Sequence, residues 1–232
     1  MAKTALIVGA GSGISASFAR LLRSAGYGVA LAARNAEKLI PFGSEIGART
    51  FTVDSTNSTQ VAALFDDVSR TLGQPELVLY NASARVRGPV IELDPAAVEH
   101  TIAVSAFGGF LVAQQAAKLM VVRGAGTILF TGASASVKGY PGSAPFAMGK
   151  FALRGLAQSM ARELHPRGIH VAHFVIDGGV RNQQRDRIEK ADAMPDSLLD
   201  PDAIAETYMH VVDQPRSAWS WEIEVRPWTE RF

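Results

Sequence analysis

The run TALIV, residues 4–8, passes without a break into GAGSGISASFARLL, residues 9–22. Apolar and β-branched residues give a short strand, three glycines give a turn, and the apolar spacing beyond them gives an amphipathic helix. A strand that leaves through such a turn into a helix does not pair with its successor as a hairpin. The chain crosses over and returns parallel. The same alternation runs to the end of the sequence. Strands are expected at Thr4–Val8, Gly28–Ala33, Arg49–Val53, Leu77–Asn81, Thr127–Thr131, His170–Ile176 and Ile223–Arg226. Helices are expected near 14–25, 36–46, 58–72, 95–122, 144–165 and 202–213. This predicts an α/β fold, doubly wound: one domain over residues 1–232, with a parallel seven-stranded sheet and helices on both faces. At 47% apolar residues, the chain can bury a core of that size unaided.

Several function classes drop out early. A net charge of +1 argues against a nucleic-acid partner. The absence of cysteine excludes disulfides and thiol catalysis. His100, His165, His170, His173 and His210 are scattered at no familiar ligand spacing, so no metal site is expected. Met1–Ala19 faintly imitates a signal peptide, but its apolar core is short and a glycine loop interrupts it, which suits a first strand. Residues 101–122 are long and apolar enough to cross a bilayer. Gln114, Gln115 and Lys118 cluster in their second half, so a buried or subunit-interface helix is expected, with no membrane partner and a cytoplasmic location.

In this architecture ligands bind beyond the carboxyl ends of the strands, and the glycine turn lies there. Glycines let the backbone approach a pyrophosphate, and the helix N-terminus adds amide donors and a favourable dipole. Two registers compete: Gly11-Ser12-Gly13-Ile14-Ser15-Ala16 fits G-x-G-x-x-G/A, and Gly9 through Ser15 fits G-x-x-x-G-x-G with serine last. The second begins where the strand ends and is preferred. Gly9, Gly11, Ser12, Gly13 and Ile14 are thus candidate cofactor ligands. The second strand ends ALAARN, offering Arg34 and no acid before Glu37. A guanidinium suits a 2′-phosphate where an acid would suit a ribose hydroxyl, so NADP (NADPH) is favoured over NAD. Arg34 also reads as a solvated strand-end charge. Asp54, ending the third strand, is placed beside the adenine ring or as a turn-former. The polar segment Gly178–Asp200 lacks a clear period and is read as a substrate lid or as an ordinary surface loop.

By these motifs the chain resembles the short-chain dehydrogenase/reductase family, a Rossmann-fold group, over nearly its whole length. Gly9–Ser15 corresponds to the family's T-G-x-x-x-G-x-G, Tyr80-Asn81-Ala82-Ser83 to N-N-A-G, Phe146-Ala-Met-Gly-Lys150 to Y-x-x-x-K, and Asp177-Gly178-Gly179 to the P-G turn. The resemblance implies cofactor contacts from Asn81, Ala82, Gly178, Val180 and Lys150. It also implies catalysis by asparagine, serine, tyrosine and lysine, in which tyrosine protonates a carbonyl and serine holds its oxygen. The sequence departs at these positions. By spacing, the asparagine position falls on Ser105, the serine position on Ala133 and the tyrosine position on Phe146; Lys150 alone matches.

Charge developing on a carbonyl oxygen needs a proton or donors, and a phenyl ring offers neither. Loss of a positioned acid typically costs ~10²–10⁴ in rate. Ser134, one residue from the serine position, and Tyr140, on the bordering loop, are the candidate substitutes, though Tyr140 reads more readily as a half-exposed loop tyrosine. Two functions stay open: an oxidoreductase using NADP(H) on a small organic substrate by a variant mechanism, and a catalytically silent dinucleotide-binding sensor or partner subunit. The resemblance implies association through the two long helices, here 95–122 and 144–165, and an exposed apolar stripe on them asks for a partner, so a homodimer or homotetramer is expected.

Overall fold

The computed structural model describes residues 3–231; Met1, Ala2 and Phe232, at the ends of the expected domain, lie outside them. One parallel sheet has the order β3-β2-β1-β4-β5-β6-β7. Its strands are β1 (Thr4–Val8), β2 (Gly28–Ala33), β3 (Arg49–Thr52), β4 (Leu77–Tyr80), β5 (Gly126–Thr131), β6 (Ile169–Ile176) and β7 (Glu222–Val225). The helices are α1 (Ile14–Ser24), α2 (Ile40–Ile46), α3 (Ser58–Thr71), α4 (Pro95–Ile102), α5 (Gly108–Arg123), α6 (Ala144–Leu164) and α7 (Pro201–Val212).

Side chains alternate across the sheet, so each strand feeds two cores. Leu6, Val8, Val78, Ile128 and Val171 meet α3, α5 and α6 on one face. Ala5, Ile7, Leu79, Leu129 and Phe174 meet α1 and α7 on the other. Both faces are covered, which is why these strands read as unbroken apolar runs rather than alternating ones. Each fully buried Leu, Ile or Phe contributes about 1.5–3 kcal/mol of burial free energy.

Two expected helices are corrected. The stretch 36–46 is a 3₁₀ turn, Ala36–Leu39, followed by α2, because Pro41 fits the first turn of a helix and not its interior. The stretch 95–122 holds a π-turn over Ala103–Phe107 between α4 and α5. The buried Tyr80 hydroxyl there donates to the Val104 carbonyl and lies 3.2 Å from Ser55 Oγ. A Cβ on Gly108 would stand 2.5 Å from that hydroxyl, so glycine alone makes room for it. Pro95–Arg123, the stretch apolar enough for a membrane span, packs against β4, β5 and α6 through Leu111, Val112, Ala116 and Met120.

The strand order reverses between β1 and β4: β1 pairs with β2 on one side, leading to β3, and with β4 on the other. Beyond the carboxyl ends of these two strands the chain leaves in opposite directions, which opens a crevice.

Candidate functional site

That crevice is a cleft of about 370 Å³. Its first wall is the glycine turn. Gly9 has φ +84°, and a Cβ there would sit 2.2 Å from the Ala82 nitrogen, so glycine alone fits between β1 and the end of β4. Asn81 pins the same point, its Nδ2 donating to the Gly9 carbonyl at 3.0 Å. The Ser15 hydroxyl closes the turn by accepting from Gly11 N–H at 2.9 Å and lying 3.0 Å from Gly11 O. Among the described residues, no acceptor takes the backbone N–H of Ser12, Gly13 or Ile14. These are the donors that begin α1, and they carry the positive end of its dipole.

Opposite lies the turn after β5, where Thr131, Ala133 and Ser134 line the cleft. Behind it Ser136 Oγ is 3.2 Å from His173 Nε2, and His173 Nδ1 is 3.0 Å from Glu222 Oε2. Arg154 clamps Glu222 with two bonds of 2.6 and 2.7 Å. Burial pushes His173 down to about 4 against the pull of Glu222. Burial would raise Glu222, but the Arg154 bond and charge outweigh it and hold the group low. The order serine, histidine, carboxylate is that of a hydrolase triad, yet Ser136 and His173 are both 0% exposed, so no substrate reaches the hydroxyl. The row braces the turn instead, for Ser136 Oγ accepts from Ala133 N–H at 3.2 Å.

On the floor, α6 carries Phe146 and, one helical turn on, Lys150. Lys150 is 2% exposed and donates to the Thr131 carbonyl at 2.7 Å. Burial, aided by the nearby charge of Arg85, lowers its pKa to about 7. Arg85, from the wall after β4, lays its guanidinium 3.9 Å from the centroid of the Phe146 ring. A cation over an aromatic face contributes about 0.5–2 kcal/mol, depending on desolvation.

The short chain dehydrogenase family profile matches residues 3–192. The chain belongs to that family. A short-chain dehydrogenase from Rhodopseudomonas palustris superposes with a TM-score of 0.83 at 35% identity, over 97% of this chain and 99% of that one. A metagenomic short-chain oxidoreductase solved in complex with NADP gives 0.83 at 27% identity, over 97% of both. An uncharacterized oxidoreductase of Staphylococcus aureus is 26% identical over 231 residues, 97% of each chain.

In this short-chain dehydrogenase Gly9, Gly11, Ser12, Gly13, Ile14, Arg34, Asn81, Ala82, Ser134, Phe146, Lys150, Gly178 and Val180 all line the cleft. Three expected site residues do not. Asp54 turns to Thr56, accepting from its N–H at 2.9 Å and its hydroxyl at 2.7 Å, while its neighbours Val53 and Ser55 face inward. Those two bonds hold its pKa low. Ser105, in the π-turn, is 0% exposed and lies against the Ala84 backbone. Tyr140 is 43% exposed and outside the lining.

The segment 178–200 is no free loop. Val180 bridges Leu199 and Asn182 bridges Arg187, while Trp228 Nε1 donates to Pro195 O at 3.0 Å. The Asn182 side chain meets Ser12 Oγ at 3.2 Å, tying the segment to the glycine turn. Sequence reasoning missed Arg85, Arg185 and Arg187, which line the same cleft. No motif holds them; Arg185 and Arg187 share one segment, and Arg85 joins them only in space.

Proposed function

We propose that the protein is an NADP(H)-dependent oxidoreductase acting on a small organic substrate, by a variant of the family chemistry in which Phe146 takes the tyrosine's place. The observation that carries it is the set of unclaimed N–H donors at Ser12, Gly13 and Ile14, with Arg34 ending the adjacent strand at the same cleft. That donor set fits an anion with phosphate geometry. A neighbour's complex with NADP supports the choice of cofactor.

Ser12, Gly13 and Ile14 would hold a pyrophosphate, and Arg34 a 2′-phosphate. Lys150, with one N–H committed to Thr131 O, keeps others for ribose hydroxyls. A bound nicotinamide dinucleotide would supply the hydride. On the substrate side Phe146 has no proton to give. Thr131 is already engaged, its hydroxyl 3.0 Å from that of Tyr208, which leaves Ser134 as the hydroxyl at the end of β5. Such a site suits substrates that need little acid assistance, for instance an activated alkene, or a protonated imine whose own acidic group offsets its charge. The segment 178–200, bonded to Ser12 through Asn182, would act as the lid.

A second reading, a silent dinucleotide-binding module, is favoured by one observation: neither Ser105 nor Tyr140 lines the cleft to replace the missing acid. Calorimetric titration of NADPH and NADH into wild type and Arg34→Asp tests the pocket that both readings share. NADPH is expected to bind more tightly than NADH, and Arg34→Asp to weaken NADPH by at least about tenfold with little effect on NADH. Failure of both dinucleotides to bind wild type would defeat both readings. With binding in hand, NADPH consumption across a panel of imines and activated alkenes separates them.

A further inference from the structure

The cleft is lined by four guanidinium groups, those of Arg34, Arg85, Arg185 and Arg187, and among the described residues by no carboxylate. The chain as a whole carries only +1, so its cationic excess is gathered at this one opening. A dinucleotide accounts for part of it. Arg34 ends β2 beside the glycine turn, and Arg185 sits on the 3₁₀ turn just past Asn182, which bonds Ser12. Arg85 has no such explanation. It stands at the Phe146 end, on a wall whose Gly88 N–H bonds Gly142 O across the opening.

The geometry of Arg85 leaves its hydrogen-bonding edge free. Its guanidinium faces the Phe146 ring at 3.9 Å, and stacking uses the plane of the group while its N–H fork lies in the edge. Among the described residues no acceptor is bonded to that fork. Arg85 is exposed as a residue, yet its head group is partly desolvated against the ring, and like charge from Arg87 and Arg187 adds to that; all three push its pKa down. Two of the lid's acids are engaged elsewhere, Asp200 with Arg181 and Glu189 with Leu198 N–H, and the other three, Asp186, Asp192 and Asp196, lie outside the cleft lining. A guanidinium held among other cations, with no carboxylate to neutralise it, is an arrangement that a bound anion would relieve.

We propose that Arg85, backed by Phe146 and joined by Arg187 from the lid, forms an anion seat at the substrate end of the cleft. The substrate would then carry an acidic group, a carboxylate or a phosphate. This rests on the reading of the cleft as a cofactor and substrate site, and it assigns phenylalanine at position 146 a use: the ring is the platform on which the guanidinium lies.

The test titrates three probes that share a phenyl ring, benzoate, phenylphosphonate and neutral benzamide, into the NADPH-loaded protein by calorimetry. At least one anion is expected to bind about tenfold tighter than benzamide, an advantage that Arg85→Met removes while the NADPH affinity stays within about twofold. Whichever anion binds more tightly identifies the acidic group. Benzamide binding as well as both anions would overturn the seat, and so would an anion advantage that survives in Arg85→Met. Anions that bind the free protein but are displaced by NADPH occupy the cofactor's phosphate position and also overturn it. If NADPH does not bind wild type, the cofactor reading fails by itself. The same titrations on wild type and Arg85→Met without it then decide the seat alone.

Discussion

Lys150 is an amine in a place that disfavours its charge, and its proton is therefore linked to folding. With a folded pKa of about 7 against roughly 10.4 in an open chain, the unfolded state holds a proton that the folded state lacks throughout that window. Stability accordingly rises with pH between the two values, by about 1.4 kcal/mol per pH unit from this group. Urea unfolding of wild type from pH 6.5 to 9 should show that rise relative to Lys150→Met, which removes the titrating group and keeps the apolar stem. Parallel curves for the two proteins would refute the linkage. The places of Lys150, Arg34 and the glycine turn along the cleft were legible in the sequence because each stands at a fixed offset from a strand end or a motif. Asp54, Ser105 and Tyr140 stand outside the cleft lining for a common reason: spacing fixes the backbone and leaves the side chain to find its own partner, which for Asp54 is the turn at Thr56. Arg85 escaped notice because its role depends on the ring at Phe146, far along the chain.

At the scale of elements, the π-turn between α4 and α5 follows from a side chain on β4. Tyr80 donates to Val104 O, and Gly108 is the gap that admits its hydroxyl. Removing the hydroxyl alone leaves a buried carbonyl short of its donor, so Tyr80→Phe should cost about 1–3 kcal/mol. Gly108→Ala drives a methyl into that hydroxyl and should also destabilise. The double variant should lose less than the sum, since the phenyl ring no longer carries the nearest clashing atom, while the contacts of the new methyl with Ser55 Oγ at 2.9 Å and Ser55 O at 3.0 Å remain. Additive losses in a denaturation cycle would mean that the two residues are uncoupled. The seven strands lay within one residue of their expected ends, because strands buried on both faces announce themselves as apolar runs. The π-turn was not readable in the helix that contains it. Its cause is a hydroxyl 24 residues upstream.

At the scale of the molecule, Phe107, Phe110, Met148 and Phe151 remain 39 to 52% exposed on α5, α6 and the turn before them. Apolar side chains gathered on neighbouring helices call for a cover. A second copy is the expected one: light scattering should give a homodimer or homotetramer, and Phe110→Glu with Phe151→Glu should release folded monomers. A monomeric wild type would contradict this. The sequence showed that these helices were apolar but not which side chains the core would leave outside, a question of packing and not of composition. The position of the cleft carries a further consequence, for a chain still being made. The glycine turn belongs to β1, while Asn81, Lys150 and the segment 178–200 come from the part of the chain that folds onto β1 from the other side. When only β1, β2 and β3 have been synthesised, half a cleft exists and nothing can close it. A ligand that needs both walls gives no help to the half-made protein; it stabilises the finished one, and only then.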